Sequence, residues 1–292
     1  MPDGVAQAGA FVNRATGKAR RCEVDNLRLL VCGRDSNEDA ILSEAAATGP
    51  DDEPTLFYQP QVTADGGRFV GLEALLRARR ADGSVTGPQD MLAAIATPDE
   101  ADALDWRILR QACGDARRWP DLSVAINIGA RQFQHPDFSA RMIALIAEVG
   151  VAPTQIELEL LEGTIIEDFG RASATMEALR AHGVRIALDD FGTGYSSLSY
   201  LQKLPLDKLK LDKSMVEGVG NLKAAAIVQA VTALSRALGL KVVAEGVETR
   251  EQQRFLRISG CHYLQGYLFS PAVSVEAVGE LLRQRWPRPE PG

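Results

Sequence analysis

The sequence predicts an α/β fold, a TIM-like (β/α)8 barrel whose first strand runs antiparallel to its neighbour. Eight short strand-like runs alternate with longer helical segments after residue 55, and the later helical segments carry apolar residues at helical spacing. Between the first two runs, Ala64-Asp65-Gly66-Gly67 is a tight-turn signal, so these two strands must pair antiparallel. An open doubly wound sheet is the alternative architecture.

Composition excludes several classes of protein. The chain has 292 residues, 46% hydrophobic and 24% charged, which is typical of a globular protein, and no apolar run approaches the length of a membrane span. A net charge of -7 has the wrong sign for general attraction to nucleic-acid polymers. The 4 cysteines form no CxxC pair and the 3 histidines are isolated, which disfavours a disulfide framework, a zinc site and a Ser-His-Asp triad. We expect a cytoplasmic protein.

Two regions are predicted along the chain. Residues 1–54 form an N-terminal extension and linker with little independent structure, ending in the Pro- and acid-rich stretch Thr48–Pro54. They contain one possible strand, Arg28–Cys32, and one possible helix, Asp39–Ala47. Residues 55–288 form the barrel domain.

The barrel elements follow from local patterning. The predicted strands are Leu56–Val62, Phe69–Ala78, Leu122–Gly129, Ile156–Gly163, Val184–Phe191, Lys208–Val216, Lys241–Glu248 and Tyr263–Phe269. The amphipathic segments predicted to form the outer ring include Asp137–Val149, Gly170–His182, Asn221–Leu240 and Val275–Arg285.

Alternation along the strands places polar residues inside the barrel. In the third strand, Val124, Ile126 and Ile128 share the face that packs on helices, so Asn127 must lie on the inner face. The same reasoning brings together Glu73, Asn127, Glu159, Asp189, Lys210, Asp212 and Glu245. Most of these lie late in their strands, where α/β barrels carry their active sites.

Such a group of buried acids requires neutralisation. Several carboxylates in a partly buried site repel one another unless cations balance them, and oxygen ligands without Cys or His favour Mg²⁺ or Mn²⁺. The adjacent Asp189-Asp190 pair suits a two-metal site, and Lys210 suits the orientation of water or the shielding of phosphate. The alternative is structural ion pairs such as Lys210–Asp212 or Arg185–Glu157, and the roles of Glu157 and Asp212 stay open.

The motifs then resemble a known family. The chain is similar to the EAL-domain phosphodiesterases that hydrolyse cyclic di-GMP, over about residues 56 to 285. The resemblance is carried by Tyr58-Gln59-Pro60, Glu73-Ala74-Leu75, Asn127, Glu159-Leu160-Leu161-Glu162, Asp189 through Leu198, Lys210-Leu211-Asp212, Ala244 through Glu248, and Gln265-Gly266-Tyr267. These motifs occur in the family's order, which makes the match specific.

The resemblance implies the chemistry and its residues. Cyclic di-GMP would be hydrolysed to linear pGpG by water activated between two Mg²⁺ or Mn²⁺ ions. The implied metal ligands are Glu73, Asn127, Glu159, Asp189 and Asp190, and the implied catalytic residues are Glu73, Asp190, Lys210 and Glu245. The implied substrate contacts are Gln59, Leu75, Arg77, Glu248, Gln265 and Tyr267, with Gln265 also supporting the Lys210 end of the site. A loop that couples metal binding to dimerisation would include Glu162, Phe191, Gly192, Thr193, Gly194 and Tyr195, so a homodimer is expected.

Two other functions remain open on the sequence. The first is a catalytically weak or inactive receptor that binds cyclic di-GMP, because a fold does not guarantee an activity. The second is a dinucleotide-binding oxidoreductase, suggested by Gly192-Thr193-Gly194 after a strand with Asp212 twenty residues later. Against the second, Asp189-Asp190 would repel a pyrophosphate at that position.

Overall fold

The computed structural model describes residues 52–166, 168–192 and 201–283. The possible strand Arg28–Cys32 and the possible helix Asp39–Ala47 lie outside the described residues, so the domain limits drawn at residues 54 and 288 stay predictions. Thr193, Gly194 and Tyr195 also lie outside them.

A closed barrel of eight strands forms the centre of the described structure. Its order is β1-β9-β8-β7-β6-β5-β4-β2, and pairing of β1 with β2 closes the ring. The barrel strands are β1 (Glu53–Thr63), β2 (Phe69–Arg79), β4 (Ser123–Ile128), β5 (Ile156–Leu161), β6 (Arg185–Phe191), β7 (Lys208–Leu211), β8 (Lys241–Ala244) and β9 (Tyr263–Gln265). The predicted barrel is confirmed, and the alternative of an open doubly wound sheet is wrong.

Strand β1 is the one barrel strand that runs against both neighbours. It pairs antiparallel with β2 and with β9, whereas the remaining junctions from β2 round to β9 are parallel. The turn between β1 and β2 explains the reversal: Gly66 has a φ of 72°, and the Asp65 carboxylate accepts a hydrogen bond from the Gly67 amide at 2.9 Å. The antiparallel first strand predicted from this turn is confirmed.

Helices cover the outside of the barrel. They are α1 (Gln89–Ala93), α2 (Pro98–Ala116), α3 (Ala130–Phe133), α4 (Phe138–Val149), α5 (Glu162–Ile166), α6 (Phe169–Ala181), α7 (Lys213–Glu217), α8 (Leu222–Ala237), α9 (Arg250–Ser259) and α10 (Val275–Leu281). Short 3-10 turns occur at Pro153–Gln155 and Gly218–Gly220. The outward residues Val124, Ile126 and Ile128 are buried under this layer, as their alternation predicts. Within the described ranges, no helix is long and apolar enough to cross a bilayer.

Several predicted strands extend too far at their carboxyl ends. The sixth stops at Leu211 because Asp212 accepts a hydrogen bond from the Ser214 amide at 3.0 Å and so caps α7. The fourth stops at Leu161, where α5 begins with Glu162. The last stops at Gln265, and the next residue, Gly266, has a φ of 153°. Glu162 and Tyr267 lie in these overlong ends, whereas Glu159 and Lys210 lie within the observed strands.

Two very short strands were not predicted from the sequence. Strand β3 (Val85–Thr86) pairs with β2, and β10 (Val273–Ser274) pairs with β1, both antiparallel. Two residues are too few to show alternation, so neither strand has a periodic signal. Both lie outside the closed ring.

Candidate metal-binding active site

Side chains from strands on opposite sides of the ring meet inside the barrel. Lys210 on β7 contacts Glu73 on β2, and these strands are not neighbours, so the contact must cross the barrel interior. Lys210 is 1% exposed and Glu73 is 4% exposed. The inner-face assignment made from strand alternation is therefore correct for both residues.

Lys210 lies at the centre of four carboxyl groups. Its Nζ is 2.6 Å from Glu245, 2.7 Å from Glu159, 3.2 Å from Asp189 and 3.5 Å from Glu73. Glu159 is fully buried, and Asp189 is 7% exposed. One ammonium group thus faces four carboxyl groups with little access to water.

The electrostatic consequences differ among these groups. Burial, which disfavours charge, and repulsion from the neighbouring acids raise the pKa of Glu159 and of Glu245 well above the usual range. Burial also raises the pKa of Asp189. Burial opposes the charge of Lys210, but the surrounding carboxylates outweigh that effect and raise its pKa well above the usual value. Lys210 is accordingly a cation. Its single positive charge is not enough to balance four carboxyl groups if all of them ionise.

Glu73 is held by amide donors. Asn127 donates from Nδ2 to Glu73 Oε1 at 2.9 Å, and Gln265 donates from Nε2 to Glu73 Oε2 at 2.5 Å. Burial opposes ionisation of Glu73, but Lys210 and these hydrogen bonds prevail and lower its pKa. Glu73 is therefore an ionised carboxylate in a fixed orientation. Gln265 supports the site at Glu73 and contacts Gln59, at 2.8 Å, rather than Lys210 itself.

An irregularity in β6 directs two consecutive acids to the site. Adjacent residues of a regular strand point to opposite faces. Here the register of β6 against β7 shifts between Leu188 and Phe191, and Asp190 has a φ of 54°, the left-handed region that Asp tolerates better than most residues. Asp189 Oδ1 accepts a hydrogen bond from the Asp190 amide at 2.9 Å. Both carboxylates therefore reach the same end of the barrel.

The donor set fits hard divalent cations. Asp189, Asp190 and Glu245 each offer a carboxylate oxygen, and these oxygens all lie within 4.8 Å of one another. Glu159 Oε1 is buried and has no hydrogen-bond partner among the described residues. Carboxylate and amide oxygens are the ligands that Mg²⁺ and Mn²⁺ prefer, and such cations would permit these acids to ionise together. The acids implied as metal ligands are thus brought together.

Four of the residues implied to contact substrate lie on β2 and in the segments that follow β8 and β9. Leu75 and Arg77 follow Glu73 at two-residue intervals on β2 and are buried at 3% and 7% exposure. Arg77 donates to the Leu76 carbonyl at 2.9 Å. Glu248 and Tyr267 lie after β8 and β9, and Lys213 connects them: its Nζ is 2.9 Å from Glu248 and 5.9 Å from the centre of the Tyr267 ring.

Gln59 is more enclosed than a substrate contact was expected to be. It is 3% exposed, its Oε1 accepts from Gln265 at 2.8 Å, and its Nε2 donates to the Ser270 carbonyl at 3.3 Å. Both ends of its amide are therefore engaged by the protein. One N–H and one oxygen lone pair of the amide are not used by these two contacts, so a further contact at Gln59 would not require it to release either partner.

Only the beginning of the predicted coupling loop can be placed. Phe191 ends β6 and is buried, and Gly192 follows with a φ of 104°. Glu162, the acid implied to anchor the loop, is the first residue of α5. Thr193, Gly194 and Tyr195 lie outside the described residues.

Comparison with known proteins identifies the family. The EAL domain family matches residues 42–272. The chain belongs to the EAL domain family. This EAL domain is 39% identical over 228 residues to the bifunctional diguanylate cyclase/cyclic di-GMP phosphodiesterase MucR of Pseudomonas aeruginosa, a match that covers 76% of this chain and 33% of MucR. The chain spans about a third of the length of the curated relatives it matches.

Solved structures agree with the sequence match. The PaMucR phosphodiesterase in complex with c-di-GMP superposes with a TM-score of 0.72 at 38% identity, covering 77% of this EAL domain chain and 94% of the other. BlrP1 of Klebsiella pneumoniae, in its manganese/cy-diGMP complex, gives a TM-score of 0.68 at 32% identity, covering 78% and 58%. The fold therefore has counterparts among solved complexes that contain the dinucleotide.

The open assignments at Asp212 and Glu157 are resolved in this EAL domain. The Asp212 carboxylate accepts hydrogen bonds from the amide and hydroxyl of Ser214, so it caps α7 and makes no ion pair with Lys210. Glu157 pairs with Lys208 at 2.7 Å, and the expected partner Arg185 is exposed. The family match and the capping role of Asp212 leave the oxidoreductase reading without support.

Sequence reasoning missed two residues beside the site. Gln61 is fully buried and donates to Gln265 Oε1 at 3.1 Å, and Lys213 joins Glu248 to the Tyr267 ring. Gln61 could have been found because it lies two residues from Gln59 and so shares its strand face. Lys213 had no signal, since its position depends on where α7 begins.

Proposed function

We propose that this EAL domain is a metal-dependent phosphodiesterase that hydrolyses cyclic di-GMP to linear pGpG. The observation that carries the proposal is the cluster of four carboxyl groups around Lys210, three of them buried, with Asp190 at its rim. The similarity to relatives named cyclic di-GMP phosphodiesterases supports the substrate. Because this chain covers only part of those relatives, activity and substrate are proposed for it rather than carried over.

The acids would hold two hard cations, Mg²⁺ or Mn²⁺. One would bind Glu73, Asn127, Glu159 and Asp189, and Asp189 with Asp190 would reach the second. Bound in pairs, such ions activate water for attack on phosphorus and offset the charge that develops on the phosphoryl oxygens. Manganese in the BlrP1 complex agrees with this choice of metal class.

The chain's own residues would position the reactants. Lys210, a fixed cation, would donate hydrogen bonds to the attacking water or to the phosphate and so orient them. Glu245, 2.6 Å from Lys210, would accept a hydrogen bond from that water. The guanidinium fork of Arg77 suits a phosphate, and Glu248 and Tyr267 would contact the dinucleotide.

Turnover of cyclic di-GMP with Mn²⁺ tests the proposal directly. The wild-type protein should convert cyclic di-GMP to pGpG, resolved by chromatography, and Glu73→Gln should abolish conversion because it removes an anionic ligand while preserving shape. The control is Glu157→Gln, which neutralises an equally buried barrel acid that contacts Lys208 instead. Conversion should persist in that control.

The receptor reading predicts a different result. Tight binding of cyclic di-GMP with no conversion by the wild-type protein, at saturating Mn²⁺, would contradict the phosphodiesterase proposal and favour a receptor. A cytoplasmic location and a homodimer, both expected from the sequence, belong to the same proposal. Analytical ultracentrifugation of the purified chain tests the homodimer by measuring its mass in solution. A monomer mass at every protein concentration would rule the homodimer out.

A further inference from the structure

A chain of three glutamine amides extends from the acid cluster into the barrel. Gln265 Nε2 donates to Glu73 Oε2 at 2.5 Å and to Gln59 Oε1 at 2.8 Å, and Gln61 Nε2 donates to Gln265 Oε1 at 3.1 Å. The three glutamines are each at most 3% exposed. Each amide in the chain therefore binds protein groups in place of water.

The reversed first strand creates this chain. In the register, Gln59 lies opposite Glu73 on β2, and Gln61 lies opposite Gln265 on β9. Gln59 and Gln61 are two residues apart, so they share the inner face of β1. Strand β1 thus places amides between Glu73 on one side and Gln265 on the other.

The hydrogen bonds of Gln265 fix the direction of the amides in the chain. Its Nε2 donates to both Glu73 Oε2 and Gln59 Oε1, so Gln265 presents its NH₂ group to Glu73 and its oxygen to Gln61. Gln61 must then present its own NH₂ group to Gln265. If Gln61 lost its donor, the oxygen of Gln265 would be buried without a partner, and the amide would be held against Glu73 by its NH₂ contacts alone.

The surroundings of Gln61 leave room for this side chain. Its register partner on β2 is Gly71, and a Cβ built on Gly71 would lie 3.3 Å from Gln61 Oε1 and 2.6 Å from Ser123 Oγ. A side chain at residue 71 would therefore crowd Gln61. Gln61 Oε1 has no hydrogen-bond partner among the described residues, so the contact to Gln265 is the polar interaction that this side chain contributes.

We propose that Gln61 is a positioning residue that orients the metal ligand Glu73 through Gln265. The inference rests on the metal-binding role of Glu73 in the proposed function. Groups that orient metal ligands typically contribute about 10–100-fold to metal affinity or activity. Removal of the Gln61 donor should accordingly weaken metal binding, and added metal should restore much of the lost turnover.

Manganese binding by Gln61→Met tests the proposal without relying on turnover. Met has a similar length and volume but no donor, and electron paramagnetic resonance measures free Mn²⁺ in a titration of the protein without substrate. We expect the Mn²⁺ dissociation constant to rise about tenfold. The control is Gln253→Met, another buried glutamine, 4% exposed, that bonds Arg250 on α9, and its dissociation constant should stay at the wild-type value.

A double-mutant cycle separates positioning from a general loss of packing. In a Gln265→Met background, Gln61→Met should have no further effect on Mn²⁺ affinity, because its only route to Glu73 is absent. If Gln61→Met does not fold, Gln61→Asn retains an amide but is one methylene too short to reach Gln265, and it should show the same loss.

Three results would overturn the proposal. They are a Mn²⁺ dissociation constant within twofold of wild type in the Gln61 variant that folds, an equal rise in Gln253→Met, or additive effects in the double mutant. Failure of the proposed function is a different outcome: wild-type protein that binds Mn²⁺ but does not hydrolyse cyclic di-GMP would leave the role of Gln61 in metal binding intact.

Discussion

Two buried lysines on β7 have different electrostatic surroundings. Lys210 faces four carboxyl groups, whereas Lys208, two residues earlier on the same inner face, pairs with Glu157 at 2.7 Å. Lys208 and Glu157 balance each other's charge, as in a structural ion pair. The four carboxyl groups around Lys210 outnumber its one positive charge, so their joint ionisation requires further cations.

The two lysines should therefore respond differently to metal. Breaking a buried ion pair typically costs about 3–5 kcal/mol, so Lys210→Met and Lys208→Met should both lower the free energy of unfolding in urea at neutral pH. Removal of the Lys210 charge strengthens cation binding at the acids. Adding Mn²⁺ should therefore raise the free energy of unfolding of Lys210→Met by more than it raises that of the wild type. For Lys208→Met the rise should equal that of the wild type. Equal gains in the two variants would contradict the assignment.

The sequence predicted which residues form most of the acid cluster. It did not predict how the backbone of β6 orients two of them. Alternation placed Glu73, Asn127 and Lys210 on the inner face because their strands are regular. Asp189 and Asp190 point the same way only because β6 is irregular and Asp190 adopts a φ of 54°, which no sequence period indicates. The sequence indicated this pair only through the adjacency of the two acids at the end of a strand, and the resemblance to the family implied the same pair.

At the level of elements, two helices begin with the same arrangement. Thr97 before α2 and Thr249 before α9 each cap the helix, and Glu100 or Gln252 in the first turn returns the hydrogen bond. Gln252 Oε1 also accepts from the amide of Glu248 at 2.8 Å. The second cap therefore fixes the backbone of a residue implied to contact substrate.

Removal of the two caps separates stability from substrate binding. Thr97→Ala and Thr249→Ala should each lower the free energy of unfolding by about 1 kcal/mol, because each loses a side-chain cap. Thr249→Ala should also raise the KM for cyclic di-GMP about threefold or more, equivalent to about 0.7 kcal/mol of binding, because Thr249 Oγ1 accepts from the amide of Gln252, whose side chain holds the Glu248 amide. Steady-state kinetics at saturating Mn²⁺ measure this. An unchanged KM in Thr249→Ala, or the same rise in Thr97→Ala, would show that the cap does not position Glu248.

Element boundaries were the weaker part of the sequence prediction. The eight barrel strands and the reversal of the first were correct because hydrophobic runs and the Gly66 turn are strong local signals. The ends of the strands were wrong where a cap such as Asp212 begins a helix immediately. Lys213 follows that cap, so its contact with Glu248 could not be foreseen.

At the scale of the whole described structure, closure of the barrel brings residues of separate strands together in one site. Glu73, Asn127, Glu159, Asp189, Lys210 and Glu245 come from or directly follow six different strands. An open sheet would leave β2 and β7 far apart, whereas the closed ring brings Glu73 within 3.5 Å of Lys210. The proposed metal site therefore depends on the complete barrel.

Anomalous diffraction from crystals of the protein grown with Mn²⁺ tests this account most directly. We predict two peaks about 3.5–4 Å apart, the spacing usual in two-metal sites, with one bounded by Glu73, Asn127, Glu159 and Asp189 and the other beside Asp190. Saturating Mn²⁺ with no peak among these residues, and with the four carboxyl groups still gathered on Lys210, would contradict it.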